Sequence, residues 1–497
     1  MPTDASQALR NVSRILVSGD ETDLSRIDAF ITKSDAASML LDWFGADFLH
    51  ENSPDVILTW LERDLAKLDD LLSNQLNEVI NNPAFSRLES TWSGVAYLCK
   101  SLERSERVLV RILNASWTDI AKDFERSLGF DASALFDKVY REEFGMPGGK
   151  PFGILLIDHY ARNARTKDYA IDDIAVIDGL SSVAAGAFAP TFVGVSPHVF
   201  ELESFAGLAR LRRIPEMFSQ INYSRYHQLR RQEDTVFIGL VMPRVKVRRQ
   251  NLRRSAALDF VYRLHPSDET NIWINGVYAV GEVVIRAFYR HGWFTEICGS
   301  QRNSLDFGVV SKIMPADEGN DISYESPHVE CVIAPEVENE LALGGITCIS
   351  KCKDTPYLVF NTMVSLRVPA QFTKEAATEN SQISVLMRYI LSVSRFAHYL
   401  KVIMRDKVGS YQTADAIEQL LYNWILGYTN GDDDADDNTR ARYPLRAAKV
   451  EVREMRGAPG RYNCIFHLQP HFHIDRVYTN FRLVTELRGR FGQEVTA

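Results

Sequence analysis

The residues most suggestive of enzyme chemistry are the glycine-rich turn Gly148-Gly149-Lys150, which has part of the pattern of a phosphate-binding loop. Such a loop needs the spacing G-x-x-x-x-G-K-[ST], in which the final hydroxyl residue holds magnesium. Here Phe144 occupies the position of the first glycine, and Pro151 that of the hydroxyl residue. Proline also has no N–H to direct at a phosphate. The pattern favours a turn before a strand; an α/β enzyme that binds an anionic substrate at this turn stays as an alternative.

The aspartates of residues 431–437 have the spacing of a calcium loop without its other residues. Asp432, Asp434 and Asp436 reproduce the D-x-D-x-D opening of such a loop. The position of its sharp-turn glycine is taken by an aspartate, and that of its bidentate glutamate by a tyrosine. We therefore expect an acidic loop rather than a calcium site.

Histidine and cysteine patterns also predict no metal site. His467, His471 and His473 would share one face of a regular strand, but Pro470 interrupts that strand and no further ligand completes the set. The six cysteines form no CxxC pair, as expected of reduced cysteines in a cytosolic protein. No G-x-S-x-G, H-E-x-x-H or G-x-G-x-x-G motif occurs. The sequence predicts no catalytic residue, no cofactor and no bound metal.

The densest positive charge lies in a basic cluster formed by Arg244, Lys246, Arg248, Arg249, Arg253 and Arg254. Such a cluster could contact the phosphates of a nucleic acid. The whole chain has a formal net charge of −9, and no helix-turn-helix or aromatic-interleaved pattern accompanies the cluster. We expect a protein–protein interface with no nucleic acid, since arginine is favoured at interfaces for its forked donors. A nucleic-acid-binding protein stays as the second alternative.

The composition is that of a soluble globular protein. The chain has 497 residues, of which 45% are hydrophobic and 24% charged, close to the globular average. This excludes a disordered chain, a collagen-like fibre and a small disulfide scaffold. No uncharged apolar run approaches the ~18–20 residues of a membrane helix, and the N-terminus lacks the order of a secretion signal. We expect a cytoplasmic protein without direct membrane insertion.

Apolar periodicity predicts the fold class α/β (mixed α+β), in three regions. Residues 1–54 form an N-terminal arm or linker, residues 55–370 an α/β body, and residues 371–497 a C-terminal module. Long helices are expected from Asp55 and from Phe85. In the body, strands are expected at 152–157, 236–241, 329–333 and 357–360, and helices at 171–188 and 275–290.

The C-terminal module is expected to contain two helices, 383–404 and 415–428, followed by three strands. Each strand is marked by apolar residues on one face: Ala448, Val450 and Val452; Tyr462, Cys464, Phe466 and Leu468; Phe481, Leu483 and Leu487. Three strands leave unpaired backbone groups on two edges, which proteins cover or give to a partner. The module is therefore suited to assembly.

Several stretches of the sequence identify a family. In chain order they are residues 85–94 (FSRLESTWSG), 226–230 (YHQLR), 239–244 (GLVMPR), 395–402 (RFAHYLKV), 443–452 (YPLRAAKVEV) and 469–472 (QPHF). Together they strongly resemble the large subunit of the type VI secretion contractile sheath, over about residues 55–493. The order of the motifs makes the resemblance specific.

The resemblance implies a structural protein rather than an enzyme. Large subunits of this family pair with a small sheath subunit, and the heterodimers form a helical polymer on a baseplate, around an inner tube of hexamers. The sheath contracts to drive the tube outward, and an AAA+ unfoldase disassembles the contracted form. Strands of neighbouring copies pair in this family, which implies inter-subunit strand pairing here for Val450, Val452, Cys464, Phe466, Leu468, Phe481 and Leu483.

Residues before position 55 depart from the family pattern. In some members an N-terminal helix is the handle for the unfoldase, and the candidate here is the amphipathic stretch of residues 8–17. The polar segment of residues 1–22 is also suited to be an arm that links subunits while their bodies rotate.

Overall fold

A computed structural model describes residues 32–33, 35–44, 53–102, 107–146, 148–211, 213–246, 272–300, 307–310, 329–352, 355, 357–407, 413–432, 435–454, 462–471 and 481–487. For residues 481–487 the description is of the backbone. The N-terminal arm of residues 1–22, with the expected unfoldase handle, lies outside the described residues.

The helices are α1 (Ala36–Phe44), α2 (Pro54–Ile80), α3 (Pro83–Leu102), α4 (Trp117–Arg126), α5 (Ala134–Phe136), α6 (Glu142–Gly145), α7 (Asp173–Ala187), α8 (Ile214–Phe218), α9 (Ser224–Arg230), α10 (Gly276–His291), α11 (Pro335–Leu343), α12 (Glu375–Ser384), α13 (Met387–Lys407), α14 (Ala414–Leu426) and α15 (Asp437–Arg442). A π-helical turn, Asp137–Arg141, joins α5 to α6. Within the described part of the chain, no helix combines the length and the apolarity that crossing a membrane requires.

The strands are β1 (Leu155–Ala161), β2 (Thr191–Val195), β3 (Ile238–Met242), β4 (Val245–Lys246), β5 (Trp273–Ile274), β6 (Val309–Val310), β7 (Ile346–Cys348), β8 (Ser350–Lys351), β9 (Leu358–Val359), β10 (Leu445–Glu454), β11 (Tyr462–Pro470) and β12 (Phe481–Leu487). They form a four-stranded sheet in the order β1-β2-β3-β7, two small sheets (β4-β5 and β6-β9-β8) and a C-terminal sheet in the order β10-β11-β12.

The chain divides into two compact units between Asn82 and Pro83. The first unit contains α1 and α2. Helix α2 starts at Pro54, because proline suits the first helical turn, and ends at Ile80, with Asn81 as its C-cap. Within this unit, Nε1 of Trp43 donates to a carboxylate oxygen of Asp64 at 3.2 Å, so α1 packs on the first half of α2.

The second unit is built on the parallel sheet β1-β2-β3-β7, which has a helix on each face. Val193 and Leu240, partners in the register of β2 and β3, pack in a cluster that includes the apolar side of α7. Phe192 and Val241 point to the opposite face and pack against α10. Alternation along the strands therefore fills two cores, and the mixed α/β fold class is confirmed.

Helix α10 has the end signals that define a buried helix. The side chain of Asn275 accepts a hydrogen bond from the N–H of Val277 at 3.2 Å and so caps the start. Gly292 ends the helix with φ +78°, a left-handed conformation that glycine adopts without strain. The capped helix packs in one cluster with Phe192 and Val241 of the sheet, and its buried residues run from Gly276 to Ala287.

The C-terminal sheet is antiparallel, with α13 and α14 packed against it. The predicted three strands are present; β10 and β11 are longer than their apolar residues indicated, and β12 has the predicted bounds. Trp293 of the body stacks on Phe396 of α13, with ring centres 4.3 Å apart, so the body and the C-terminal module share this core.

The strand expected at 152–157 is shifted along the chain and is found as β1. Two other predicted elements differ in kind from the structure. The run 329–333 is not a strand: only Val329 makes a β-bridge, to Val245, and Val332 is 57% exposed although Val329 and Ile333 are buried. A short apolar run does not define its own partner. The helix expected over 383–404 is interrupted between α12 and α13. There the N–H of Ser365 donates to the carbonyl of Val385 at 2.8 Å, so the backbone pairs with another segment instead of continuing the helix.

Candidate assembly surfaces

The predicted pairing residues of β10 and β11 turn their side chains into the core of the C-terminal module. Val450, Val452, Cys464, Phe466 and Leu468 are each at most 8% exposed and pack in one cluster with α13 and α14. Burial raises the pKa of the Cys464 thiol to about 12, so the thiol stays protonated at neutral pH. Pairing with a neighbour therefore has to use backbone groups.

One hydrogen bond shows which backbone groups of β10 face outward. The N–H of Val452 donates to Oε2 of Glu418, on α14, at 2.9 Å, so it points away from β11. Directions alternate along an antiparallel strand. The N–H and C=O groups of Ala448 and Val450 therefore also face the outer edge of the sheet.

The outer edge of β10 is covered at both ends by its own chain. At the start, Leu445 donates its N–H to the carbonyl of Tyr428 at 3.2 Å and accepts from the N–H of Asn430 at 2.8 Å. At the other end, the Glu418 carboxylate covers the strand. Among the described residues, the outward backbone groups of residues 448–450 have no partner, and they form the open part of this edge.

Strand β11 is central, so its backbone is used within the chain. It pairs with β10 on one side and with β12 on the other. Cys464, Phe466 and Leu468 therefore offer no backbone edge to a neighbouring subunit. The physical reason is that a strand has only two edges, and both are occupied here.

The register of β12 places the predicted Phe481 and Leu483 in the internal ladder as well. Leu483 is opposite Phe466, and Phe481 is opposite Leu468. Along β11 the backbone groups point alternately to β10 and to β12, and those of Phe466 point to β12. The N–H and C=O of Leu483, opposite Phe466, therefore pair with β11. The outer edge of β12 instead carries the backbone groups of Val484. The candidates for pairing with a neighbouring subunit are therefore only the backbone groups of β10 and β12 that face away from β11.

The described cations of the basic cluster have partners in the chain. Nε and Nη2 of Arg244 donate to the two carboxylate oxygens of Glu330, at 2.7 and 2.6 Å. Lys246 lies against an aromatic ring of β5, with Nζ 5.9 Å from the ring centre. Arg248 and Arg249 lie outside the described residues. Arg244 is therefore a structural contact rather than a free cation that could hold a phosphate.

The glycine-rich turn is occupied by a carboxylate of its own chain. The N–H of Lys150 donates to Oε2 of the buried Glu143 at 2.6 Å. A Cβ on Gly149 would lie 2.2 Å from the Glu143 carbonyl oxygen, so only glycine fits there. An anionic ligand would meet the carboxylate of Glu143, which opposes the anion-binding alternative.

In the described part of the chain, no three His, Cys, Asp or Glu side chains lie close enough to hold a metal ion. Of the histidines, His467 lies on β11 and His471 directly after it. His473 and Asp434 lie outside the described residues.

The FSRLESTWSG motif docks α3 on the body through its polar and small residues. Ser90 donates its hydroxyl to a carbonyl of β5 at 2.5 Å, and Thr91 donates to Asp158 at 2.7 Å. Gly94 approaches the Tyr278 ring so closely that a Cβ would lie 2.4 Å from it. These residues fix the buried face of α3.

The YHQLR motif ends in a buried arginine that clamps the turn before β7. Arg230 donates from Nε to the carbonyl of Leu366 at 2.9 Å and from Nη2 to that of Leu343 at 2.8 Å. The hydroxyl of Tyr226 donates to the carbonyl of Gly344 at 2.9 Å. This motif therefore serves packing of the body.

The RFAHYLKV motif ties α13 to the end of α7. His398 donates from Nε2 to the carbonyl of Ala187 at 3.0 Å, and burial lowers the pKa of its ring to about 3. Nζ of Lys401 lies 4.5 Å from the ring centre of Phe188, and burial lowers the pKa of Lys401 to about 8. Both side chains hold the C-terminal module against the body.

Sequence reasoning missed that the long helices expose much of their apolar surface. On α2 the side chains of Leu58, Leu65, Leu68, Leu71, Leu72, Leu76 and Val79 are 39–65% exposed. Four of them recur every seventh residue (58, 65, 72 and 79), which is the spacing of a coiled-coil stripe. This spacing is visible in the sequence and could have predicted a surface for a partner helix. Helix α3 similarly exposes Phe85, Leu88 and Trp92, opposite the face that carries Gly94.

Two family models match separate stretches of the chain. Residues 62–367 match the family model of the VipB/EvpB tail sheath N-terminal domain, and residues 376–487 match that of the VipB/EvpB tail sheath gpW/gp25-like domain. A solved structure, the cryo-EM structure of the anti-feeding prophage baseplate, 6-fold symmetrised, aligns with 78% of this chain and 83% of its own. That alignment has 8% identity and a TM-score of 0.35.

One curated relative is similar over most of its length. The chain is 33% identical over 437 residues to the type VI secretion system sheath protein TssC1 of Pseudomonas aeruginosa, which is 86% of both chains. The family models and this relative cover the body and the C-terminal module alike. The chain therefore belongs to the VipB/EvpB family of type VI secretion tail sheath proteins, as a large, structural subunit of a contractile sheath.

Proposed function

We propose that this subunit pairs with a small sheath subunit and that the heterodimers polymerise in the bacterial cytoplasm around an inner tube. Contraction of the polymer propels the tube, the polymer is built on a baseplate, and an AAA+ unfoldase recycles it. These partners follow from the resemblance of the sequence, and membership of the family supports them. The exposed helices and the open sheet edge supply surfaces for such an assembly.

The observation that supports pairing with a small subunit is the stripe of exposed apolar side chains on α2. Burying a leucine side chain stabilises a complex by roughly 1.5–3 kcal/mol, and soluble monomers rarely leave such a continuous apolar patch uncovered. The stripe runs along a helix of 27 residues, about 40 Å at 1.5 Å per residue. An apolar stripe with heptad spacing fits a helix of a partner. We assign this surface to the small subunit.

Linkage between neighbouring copies is assigned to the edges of the C-terminal sheet. The open backbone groups of residues 448–450 and the outer edge of β12 can each accept an extended strand. A main-chain linkage of this kind tolerates rigid-body rotation when the incoming strand is tethered by an arm. Contraction rotates subunit bodies, so such a linkage would keep the lattice connected.

The division into an arm (1–54), a body (55–370) and a C-terminal module (371–497) stays a proposal. The two family models, which match residues 62–367 and 376–487 separately, support it. We also propose that the subunit has no catalytic role. Neither an anionic substrate nor a nucleic acid is favoured, because Glu143 and Glu330 occupy the groups that would bind them.

Co-expression with the small subunit, followed by electron microscopy, tests the proposal. We expect hollow tubules from the wild-type pair, and poor solubility or self-association of this chain alone. The double variant Leu65→Asp/Leu72→Asp should lose the small subunit, whereas Asn74→Asp, a charge added on the same helix, should retain it. A monodisperse monomer that ignores the small subunit would contradict the sheath proposal.

A further inference from the structure

Between α3 and α4 lies a run of described residues whose backbone makes almost no hydrogen bond within the described part of the chain. Residues 108–114 (VLVRILN), here called the 108–114 segment, belong to neither a helix nor a strand. In the described part of the chain, the one backbone hydrogen bond that reaches them is from the N–H of Ala115 to the carbonyl of Leu113, at 3.1 Å. A stretch of this length in a folded protein normally pairs its N–H and C=O groups with other protein groups or with water.

Five of the seven side chains of the 108–114 segment are apolar, and four of these five are exposed. Leu109 and Ile112 are 62% and 63% exposed, and Val110 and Leu113 are exposed as well. Because successive side chains of a strand point to opposite faces, a strand made from this segment would present apolar side chains on both faces. One face would carry Val108, Val110 and Ile112, and the other Leu109 and Leu113 on either side of Arg111. Continuous runs of Val, Ile and Leu are typical of strands that are buried on both sides.

Three contacts hold the segment in place despite its exposure. Val108 packs against the core cluster around α10. The guanidinium of Arg111 forms an ion pair with Glu143 and lies over the ring of Phe152, 5.6 Å from its centre. At the far end, Ser116 starts α4 with a capping box. The segment is thus pre-organised, which lowers the entropy lost on binding.

We propose that the 108–114 segment adds as a β-strand to a sheet of the small sheath subunit, an inference that rests on the proposed function. The partner chemistry is an extended polypeptide with a free strand edge and apolar side chains for both faces. Main-chain hydrogen bonds supply the affinity and the alternating side-chain pockets the specificity. A permanent partner fits, because an uncovered apolar strand promotes aggregation.

The open edges of a second copy of this chain fit the segment less well. The core face of the C-terminal sheet is already filled by α13 and α14. The other face of β10 carries the charged chain Lys449, Glu451 and Arg453, linked by ion pairs of 2.8 and 2.9 Å. A strand placed beside β10 would set one of its apolar faces next to these charges. The small subunit is therefore the assigned occupant.

Hydrogen–deuterium exchange on the co-expressed heterodimer tests the pairing directly. No described acceptor within the chain protects the amides of residues 109–113, so any protection of them comes from the partner. We expect alternate amides to exchange at least 100-fold more slowly than the intrinsic rate. Exchange at the intrinsic rate in a heterodimer whose α10 is protected would overturn the proposal. Protection that appears only in assembled tubules would overturn it too, since the contact would then lie between heterodimers.

A pair of matched substitutions gives a second readout. Ile112→Asp should reduce co-purification of the small subunit at least 10-fold, because it sets a charge inside the added strand. Ile221→Asp changes another isoleucine, 87% exposed and outside the segment, and should leave co-purification unchanged. Both sites are exposed, so circular dichroism should show an intact fold. Wild-type recovery of the small subunit with Ile112→Asp would refute the strand pairing alone, whereas failure of the wild type to recover it would refute the proposed function.

Discussion

The carboxylate of Glu418 accepts a hydrogen bond from the backbone N–H of Val452 at 2.9 Å, and this bond closes one end of the outer edge of β10. The two residues lie 34 positions apart, on α14 and β10. The contact turns a helix side chain into a cover for a sheet edge, a common device against uncontrolled strand pairing.

Removing this cover should promote association through β10. We expect Glu418→Ala to leave the N–H of Val452 uncovered, to cost about 1–2 kcal/mol of stability, and to increase self-association of the heterodimer. Glu418→Gln retains an acceptor oxygen and should stay close to the wild type. Sedimentation velocity and thermal unfolding measure both effects. Equal association of the wild type and both variants would show that Glu418 does not control this edge.

How far the sequence could predict this arrangement is clear from particular residues. The start of α2 at Pro54 and its end before Asn81 follow from local rules, and the three C-terminal strands follow from their period of two. The outward direction of the Val452 N–H could not be predicted from the sequence, because this N–H bonds to a side chain of another element, Glu418 of α14. Periodicity likewise predicts that Leu65 lies on a helix, but it does not say whether anything covers that residue.

The close approach of Gly94 to Tyr278 should make this glycine irreplaceable. A Cβ at position 94 would lie 2.4 Å from the ring, and the ring is fixed by a hydrogen bond from its hydroxyl to Asp158 at 2.9 Å. We expect Gly94→Ala to destabilise the heterodimer by about 1–3 kcal/mol through overpacking. Gly145→Ala is the control, since a Cβ there meets no atom within 4 Å. Equal thermal midpoints for the two variants would contradict this account.

His398 should make the subunit sensitive to acid. Burial, with the nearby cations Arg395 and Lys401, lowers the pKa of its ring to about 3 in the folded state, against about 6.5 when unfolded. Between these values the unfolded state binds more protons, so stability is fully present above pH 6.5 and is lost as the pH falls. The loss reaches about 2 kcal/mol at pH 5.

The variant His398→Gln isolates this contribution. It removes the titrating group, so its thermal midpoint should fall less steeply than that of the wild type between pH 7 and pH 5. Replacement of the exposed His198 by glutamine serves as the control. Parallel pH curves for the wild type and His398→Gln would show that the buried ring is not responsible.

The last prediction separates the two edges of β12 by moving a proline one position. Leu483 is opposite Phe466 in the register of the sheet, and its N–H points into the internal ladder, whereas that of Val484 points to the outer edge. Leu483→Pro should therefore break a bond of the module itself and lower the thermal midpoint of the heterodimer. Val484→Pro removes a donor from the outer edge and should leave the internal ladder in place.

Each lost hydrogen bond is worth only about 1 kcal/mol, but a helical polymer repeats the same junction in every subunit. We expect Val484→Pro heterodimers to stay folded and to form no tubules, while Val484→Ala, which keeps the N–H, assembles. Normal tubules from Val484→Pro would show that β12 is not the linking edge and would leave residues 448–450 of β10 as the place where a neighbour's strand pairs.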